Sequence, residues 1–256
     1  MDFKISAAIV TYNGREKALN ACNCVIENTK RLPLEFYVID NASSDGTAEA
    51  VGEIKGITVL KQSENIGFGA AHNKVLEQNM GKYHFVINPD ITFSSDVLSE
   101  LAEFMESNPD IVMCCPRILN EDGSEQHLPK ERPTAKRLFL GRLAPLGGVF
   151  KKIRTEYTWA DRVTDTVSDI DFCTGCFFVI RSDVFKELGG FDERFFMYQE
   201  DVDLTLRAQQ YGRTVINPLV SVTHLWERES AKSIKYLFIH IKSSVKFLRK
   251  WRKKRK

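Results

Sequence analysis

The chain has 256 residues, 43% hydrophobic and 27% charged, a balance that supports one large domain without covalent staples and excludes disordered, collagen-like and multispanning chains. Of its 36 Lys and Arg, 11 follow Ala231 with no acid among them, so the net charge of +2 conceals −9 on the preceding body, where all 34 acids lie. A basic tail on an acidic domain results, and the acidic body argues against nucleic acid as a partner.

Met1-Asp2-Phe3-Lys4-Ile5 runs directly into a strand without the charged-then-apolar layout of a signal peptide, and no segment reaches the roughly 20 apolar residues of a spanning helix. A cytoplasmic protein is expected. Residues 5–10 are nearly all apolar, as in a strand buried on both faces. Ala18, Leu19, Cys22, Val25 and Ile26 recur at helical spacing, and Pro33 separates that helix from a strand over 36–39. The alternation continues with a helix over 47–54, a strand over 57–60, a helix over 70–78 and a strand over 84–87. Such spacing predicts an α/β protein with a mostly parallel, Rossmann-like central sheet flanked by helices.

Residues 123–168, with Pro129, Pro133, Pro145 and Gly147-Gly148, read as loops and short helices over a cleft. A strand over 172–180, a helix over 201–211 and short strands around Val215 and Val220 complete the body. The six cysteines fall in apolar runs, as reduced core thiols do. Cys173-Thr174-Gly175-Cys176 has redox spacing, but no second pair accompanies it and the segment reads as buried strand.

In open sheets of this kind ligands bind beyond the carboxyl ends of the strands. Those positions hold Thr11-Tyr12-Asn13-Gly14, Asp40-Asn41-Ala42-Ser43-Ser44-Asp45-Gly46 and Asn88-Pro89-Asp90. Asp40 and Asn41 offer hydrogen bonds to a nucleobase and Tyr12 an aromatic face, a set suited to a pyrimidine nucleotide; the same residue types also cap helices. Pro89 cannot continue a central strand, so the chain turns and presents Asp90, either as an Asx turn or as a ligand for a cation on a diphosphate. Asn65-Ile66-Gly67-Phe68-Gly69-Ala70-Ala71-His72-Asn73 lacks dinucleotide-fingerprint spacing; Asn65 and Asn73 are its candidate ligand contacts. Glu200-Asp201 opens a helix whose N-terminus favours ionised carboxylates, and such a group takes a proton as general base. Asp203 reads as part of the same turn, without a separate role. His224 is either a packed histidine or a third metal ligand.

Val10-Thr11-Tyr12-Asn13, Val38-Ile39-Asp40-Asn41-Ala42-Ser43-Ser44-Asp45-Gly46-Thr47, Asn65-Ile66-Gly67-Phe68, Asn88-Pro89-Asp90, Gly189-Gly190-Phe191-Asp192-Glu193 and the run from Phe195 to Asp203 occur in one order. In this the chain resembles the inverting family 2 glycosyltransferases of the GT-A fold, and among them the rhamnosyltransferase-like members. The resemblance implies transfer of a sugar, rhamnose from dTDP-rhamnose first, from a dTDP or UDP carrier to a saccharide or lipid-linked acceptor in bacterial cell-surface polysaccharide synthesis. It implies donor contacts at Thr11, Tyr12, Asn13, Asp40, Asn41, Asn65, Gly67, Asn73, Asn88 and Asp90. It further implies Asp201 as catalytic base, Gly175 and Glu200 at the acceptor, and Mg²⁺ or Mn²⁺ at Asp90 and His224. Asn88 stands where many relatives carry a second acid, which weakens the metal site. The corresponding domains are 1–228, with a nucleotide-sugar half at 1–116 and an acceptor half at 117–228, followed by a tail at 229–256.

In that tail Ile234, Leu237, Phe238, Ile241, Val245 and Leu248 share a helical face beside Lys242, Lys246, Arg249 and Lys253. A basic amphipathic helix lies on anionic lipid, which would hold the protein on the inner face of the membrane; packing on the body or on a second copy in a homodimer is the alternative. Two rival functions remain at this level. A non-catalytic scaffold of the same fold would bind nucleotide without turnover. Nucleotidyl transfer would need a longer phosphate loop than Thr11-Tyr12-Asn13-Gly14-Arg15.

Overall fold

A computed structural model describes residues 3–225 and 234–252. The first half follows the expected alternation: β1 (Ile5–Thr11), α1 (Arg15–Asn28), β2 (Leu34–Asp40), α2 (Thr47–Gly52), β3 (Ile57–Lys61), α3 (Phe68–His72) with a 3₁₀ turn over Asn73–Glu77, and β4 (Tyr83–Ile87). Residues 91–119 add β5 (Ile91–Thr92), α4 (Val97–Ser107) and β6 (Ile111–Leu119). The helix α4 has a clear local cause, since the Asp96 side chain accepts from the Ser99 N–H and Val97, Leu98, Leu101, Ala102 and Met105 form its buried face. Next come α5 (Ala135–Leu140), a 3₁₀ turn over Gly141–Leu146, α6 (Gly148–Thr158), β7 (Ser168–Asp169), β8 (Phe177–Arg181), α7 (Ser182–Glu187), α8 (Glu200–Ala208), β9 (Arg213–His224) and α9 (Ile234–Arg252).

One sheet runs in the order β3-β2-β1-β4-β8-β6-β9-β5, with β7 paired to β9. It is parallel across β3-β2-β1-β4, whereas β8 runs antiparallel to both β4 and β6. Parallel order therefore belongs to the first half, and the second half is mixed. Alternate residues of β1 feed two cores on opposite faces: Ile5, Ala7 and Ile9 pack on one, Ala8 and Val10 on the other.

Two boundaries differ from the sequence expectation in ways that shape the site. The strand expected over 172–180 begins only at Phe177; residues 172–176 form a loop, because the Gly175 N–H turns to the Asp201 carboxylate and the Cys173 N–H to Thr205 rather than to a neighbouring strand. The two short strands around Val215 and Val220 are one strand, β9. A register shift against β6 between Pro116 and Arg117 absorbs the break that Pro218 suggests in the sequence.

The tail helix α9 docks on the body through a face other than the predicted stripe. Ser243, Ser244, Phe247 and Trp251 are buried, the last two with Tyr157, Phe172, Phe195, Val202 and Leu206. Trp251 Nε1 donates to Asp203 Oδ1 (2.8 Å), and Lys250 Nζ lies 2.6 Å from Asp203 and from Asp192. Asp203, fully buried and also paired with Arg207 at 2.9 Å, is thus the tie between α8 and α9 rather than a residue without a role. Ile234, Leu237, Phe238 and Ile241 stay exposed, while Val245 and Leu248 are half-buried. Lys253, Trp226 and the boundary drawn at 228 lie outside the described residues.

Candidate active site

Three strand exits meet at one edge. The Asn41 N–H donates to the Thr11 carbonyl (2.9 Å), placing the ends of β1 and β2 side by side. Asn13, at φ 50°, knits them further: its Oδ1 accepts from the Ser44 N–H (2.8 Å) and its own N–H donates to Ser43 Oγ (2.9 Å). Asn tolerates that left-handed backbone, so Asn13 shapes the site with its side chain engaged by protein. Asp45 orders the start of α2 through Thr47, so the capping alternative holds for Asp45. Asp40 differs: Oδ2 accepts from the Ser43 N–H (3.0 Å), but among the described residues its buried Oδ1 has no hydrogen-bond partner, and neither have the buried Asn41 Oδ1 and Thr11 Oγ1. Buried polar atoms are seldom left unpaired, so these three fit an absent polar ligand. Tyr12 is 52% exposed beside them, its ring open to a planar base.

The stretch 65–73 is tied mainly to protein. Asn65 Oδ1 accepts from the Gly67 N–H (3.0 Å). Gly67, at φ +88°, lies so close to Phe196 that a Cβ would come within 2.2 Å of its carbonyl oxygen. Asn73 donates to the Phe191 carbonyl and to Glu193 and accepts from the Phe191 N–H (2.8 Å). This latches the 189–193 turn, and the expected ligand role of Asn73 gives way to a structural one because both ends of its amide are engaged.

Asp90 follows β4 as the turn at Pro89 requires. Its carbonyl accepts from the Leu225 N–H (2.9 Å), and Ile91 pairs with His224 across β5 and β9. This brings His224 Nε2 to 3.3 Å from Asp90 Oδ1. That distance is within ion-pair reach, but the alignment is not that of a hydrogen bond, and among the described residues the buried Oδ1 has none. His224 Nδ1 lies 2.7 Å from Gln126 Oε1. Since Gln126 Nε2 donates to Asn120 Oδ1 (3.0 Å), its oxygen must face the histidine and Nδ1 carries a proton. In the neutral ring Nε2, toward Asp90, is then the lone-pair atom. A carboxylate oxygen and an imidazole nitrogen so disposed suit a divalent cation. Among the described residues no group of three or more His, Cys, Asp or Glu side chains is arranged to hold a metal. Gln126 is a positioning residue that sequence reading missed. It reaches His224 through the reversal at Asn120–Ser124, a turn visible as Asp122-Gly123 but without a visible destination.

The Asn88 N–H donates to the Cys176 carbonyl (2.9 Å), next to Gly175, whose own N–H donates to Asp201 Oδ2 (2.9 Å). The turn carrying Asp90 and the start of α8 are thereby joined through one loop. Asp201 Oδ1 accepts from the Val202 N–H (2.8 Å). A Cβ on Gly175 would press on Asp201 at 3.3 Å, the physical reason for a small residue there. Tyr198 (φ 69°) and Gln199 (φ 73°) precede α8 in consecutive left-handed conformations, a strain of about 1–3 kcal/mol per residue. It is held by the Phe68 N–H on the Phe196 carbonyl and Ser243 Oγ on the Met197 carbonyl.

Asp201 opens into a cavity of about 160 Å³ lined also by Arg142, Arg154, Tyr157, Tyr198 and His240. Burial pushes its pKa up to about 6 against the backbone N–H groups that lower it. Glu200 is buried, its Oε2 without a hydrogen bond among the described residues, and burial plus the Asp201 charge push it up to about 8. The sequence expectation that both acids are ionised near pH 7 therefore fails for Glu200, because desolvation outweighs the helix N-terminus.

Comparisons with known proteins were made against this geometry. Residues 6–189 match the profile described as Glycosyl transferase family 2. The chain is 28% identical over 233 residues to the N-acetylglucosaminyl-diphospho-decaprenol L-rhamnosyltransferase of Mycobacterium tuberculosis, covering 84% of this chain and 75% of that protein. It is 27% identical over 192 residues to the rhamnosyltransferase WbbL of Escherichia coli K12, covering 71% of this chain and 70% of that one. The fold matches that of the mannosyltransferase PcManGT from Pyrobaculum calidifontis, solved with GDP-Man and Mn²⁺, with a TM-score of 0.65 and 18% identity over 97% of this chain and 65% of that chain. Together with the match over most of the sheet, the linked strand exits and the carboxylate at the head of α8 identify the chain as a glycosyltransferase that belongs to family 2.

Proposed function

We propose that the protein is an inverting transferase that moves rhamnose from dTDP-rhamnose to a lipid-linked saccharide during cell-surface polysaccharide synthesis, with residues 1–116 taking the donor and 117–228 the acceptor. The rhamnosyltransferase relatives support the sugar and the lipid-linked acceptor. One observation carries the chemistry: Asp201 is fixed by two backbone N–H groups at the lining of a cavity, where burial pushes its pKa up to about 6 and so leaves it ionised yet basic at neutral pH.

In this reading Tyr12 packs on the thymine and the unpaired Asp40, Asn41 and Thr11 oxygens meet the nucleoside. Asp201 takes the proton from the acceptor hydroxyl, whose oxygen attacks the anomeric carbon on the face opposite the departing diphosphate, so the configuration inverts. Asp90 and His224 would hold Mg²⁺ or Mn²⁺, which supplies positive charge to the diphosphate. Gly175 keeps space at Asp201, and a neutral Glu200 adds no second negative charge beside Asp201. The exposed Leu237, Phe238 and Ile241 of α9, beside Lys242, rest on the inner face of the membrane, where a lipid-linked acceptor lies.

The test is a transfer assay with purified protein, dTDP- and UDP-sugars and polyprenyl-diphosphate-linked saccharides, with Mn²⁺, Mg²⁺ or chelator. Rhamnose transfer with inversion should appear, fall on chelation, and drop about 10²- to 10⁴-fold in Asp201→Asn with donor affinity retained. Absence of transfer in every pairing, or transfer indifferent to Asp201→Asn, rejects the proposal.

A further inference from the structure

The cavity at Asp201 holds more positive charge than the transfer step itself uses. Arg142, on the turn after α5, and Arg154, on α6, both line it. Arg137 nearby has its counter-ion in Glu131. Among the described residues no carboxylate plays that part for the other two: Arg142 lies near the Tyr198 phenol, and Arg154 near the Tyr157 phenol and Arg142 itself. The cavity's own acid, Asp201, is held by the Gly175 and Val202 backbone and forms no ion pair with either arginine among the described residues.

The guanidiniums also repel one another and their neighbour. Desolvation first, and then the Arg142 charge, hold Arg154 below the usual arginine range, and the same two causes press the His240 imidazole down to about 4. A cluster of cations that disfavour each other's charge in a partly dehydrated cavity is complementary to an anion. Arginine's planar fork matches phosphate oxygens, and two forks match two phosphoryl groups. In the sequence, exposed Leu140, Leu143 and Leu146 flank Arg142, and exposed Leu237 and Ile241 flank His240.

We infer that Arg142 and Arg154 together bind the diphosphate of a lipid-diphosphate-linked acceptor and so hold its sugar hydroxyl at Asp201. This rests on the transferase reading above and makes the acceptor an anion. A neutral oligosaccharide would leave both guanidiniums unanswered.

The experiment uses the full chain and needs no turnover, so its outcome is separate from that of the transfer assay. Inorganic pyrophosphate is titrated in chelator-containing buffer while the His240 ring protons are followed by NMR, assigned with His240→Gln. Pyrophosphate should move the His240 signal and raise its apparent pKa, since an anion offsets the arginine charge. Sulfate at equal ionic strength should act far more weakly. Arg142→Gln with Arg154→Gln should weaken pyrophosphate binding by about tenfold or more, while Arg142→Lys with Arg154→Lys, which keeps the charge, recovers part of it.

Two further arms separate the sources of the diphosphate. Affinity for dTDP or UDP with Mn²⁺ should be the same in native and Gln variants, and KM for a polyprenyl-diphosphate sugar should rise about tenfold in the Gln variants with donor KM unchanged. An unmoved His240 signal, equal effects of sulfate and pyrophosphate, or a parallel loss of nucleoside diphosphate affinity overturns the inference. Circular dichroism of each variant, and the Lys pair if the Gln pair fails to fold, keep the comparison decisive.

Discussion

At the scale of single residues, the acids at the head of α8 show how neighbouring carboxylates take different protonation states. Glu200 is raised by burial and by the Asp201 charge, Asp201 by burial alone against two backbone donors. At pH 7 the first is protonated and the second ionised. A base acts when deprotonated, so kcat/KM should be flat above about pH 6 and fall below it as Asp201 takes up a proton. Glu200→Gln replaces a neutral group with a neutral group and should leave that acid limb in place. Were Glu200 ionised in the native protein, the same substitution would remove a negative neighbour and move the limb to lower pH; a pH–rate profile of both proteins decides. The positions of Asp40, Asp90 and Asp201, at two strand exits and a helix start, are legible in the sequence. The roles of Asn73 and Gln126 are not, because each depends on a partner far away in sequence, at 191 and 224 respectively.

At the scale of elements, α9 divides its labour along its length. The C-terminal half packs on α8 and supports the strained turn at Tyr198 and Gln199, with Ser243 on Met197 and Trp251 on Asp203. The N-terminal half keeps Leu237 (45%) and Phe238 (66%) exposed. The helical periodicity gives the stripe correctly, but periodicity alone does not say which face meets the body; Phe247 and Trp251 face the apolar cluster of Tyr157, Phe172, Phe195, Val202 and Leu206 and dock the helix there. The proposed membrane contact is tested by flotation with vesicles. Native protein should bind anionic vesicles, lose them at high salt and ignore zwitterionic ones. Leu237→Ser with Phe238→Ser should abolish binding without lowering the melting temperature, because both side chains are exposed; equal flotation of the variant rejects the contact.

At the scale of the whole molecule, two histidines buried in the sheet's core make stability sensitive to acid. His72 lies against Phe68 (4.5 Å between rings) and Phe191, with neither ring nitrogen hydrogen-bonded among the described residues. His84 meets Ser6 Oγ at 2.9 Å through Nδ1. Burial holds His72 well below its ordinary value of 6.5 and His84 down to about 3. The folded-state pKa values are depressed, so below pH 6.5 the unfolded chain binds protons that the folded one refuses. Their stabilisation is complete above that pH and is lost on the way down toward pH 3, at up to about 1.4 kcal/mol per pH unit for each histidine. His72→Phe, which keeps an aromatic ring and removes the titrating group, should flatten the fall in urea midpoint between pH 6 and 4; an unchanged slope would assign the acid sensitivity elsewhere.

The sequence by itself determined the parallel half of the sheet, because strands buried on both faces and helices apolar on one differ in period, and it determined the acids at the strand exits and at the start of α8, because turn residues there have few other uses. Tertiary structure alone decided the rest. The antiparallel insertion of β8, the approach of His224 to Asp90 across a two-residue strand, and the face on which α9 docks depend on pairings between distant segments that no local period encodes. So does the protonation of Glu200, since the burial that sets it is a property of the packed core and not of the helix that carries it.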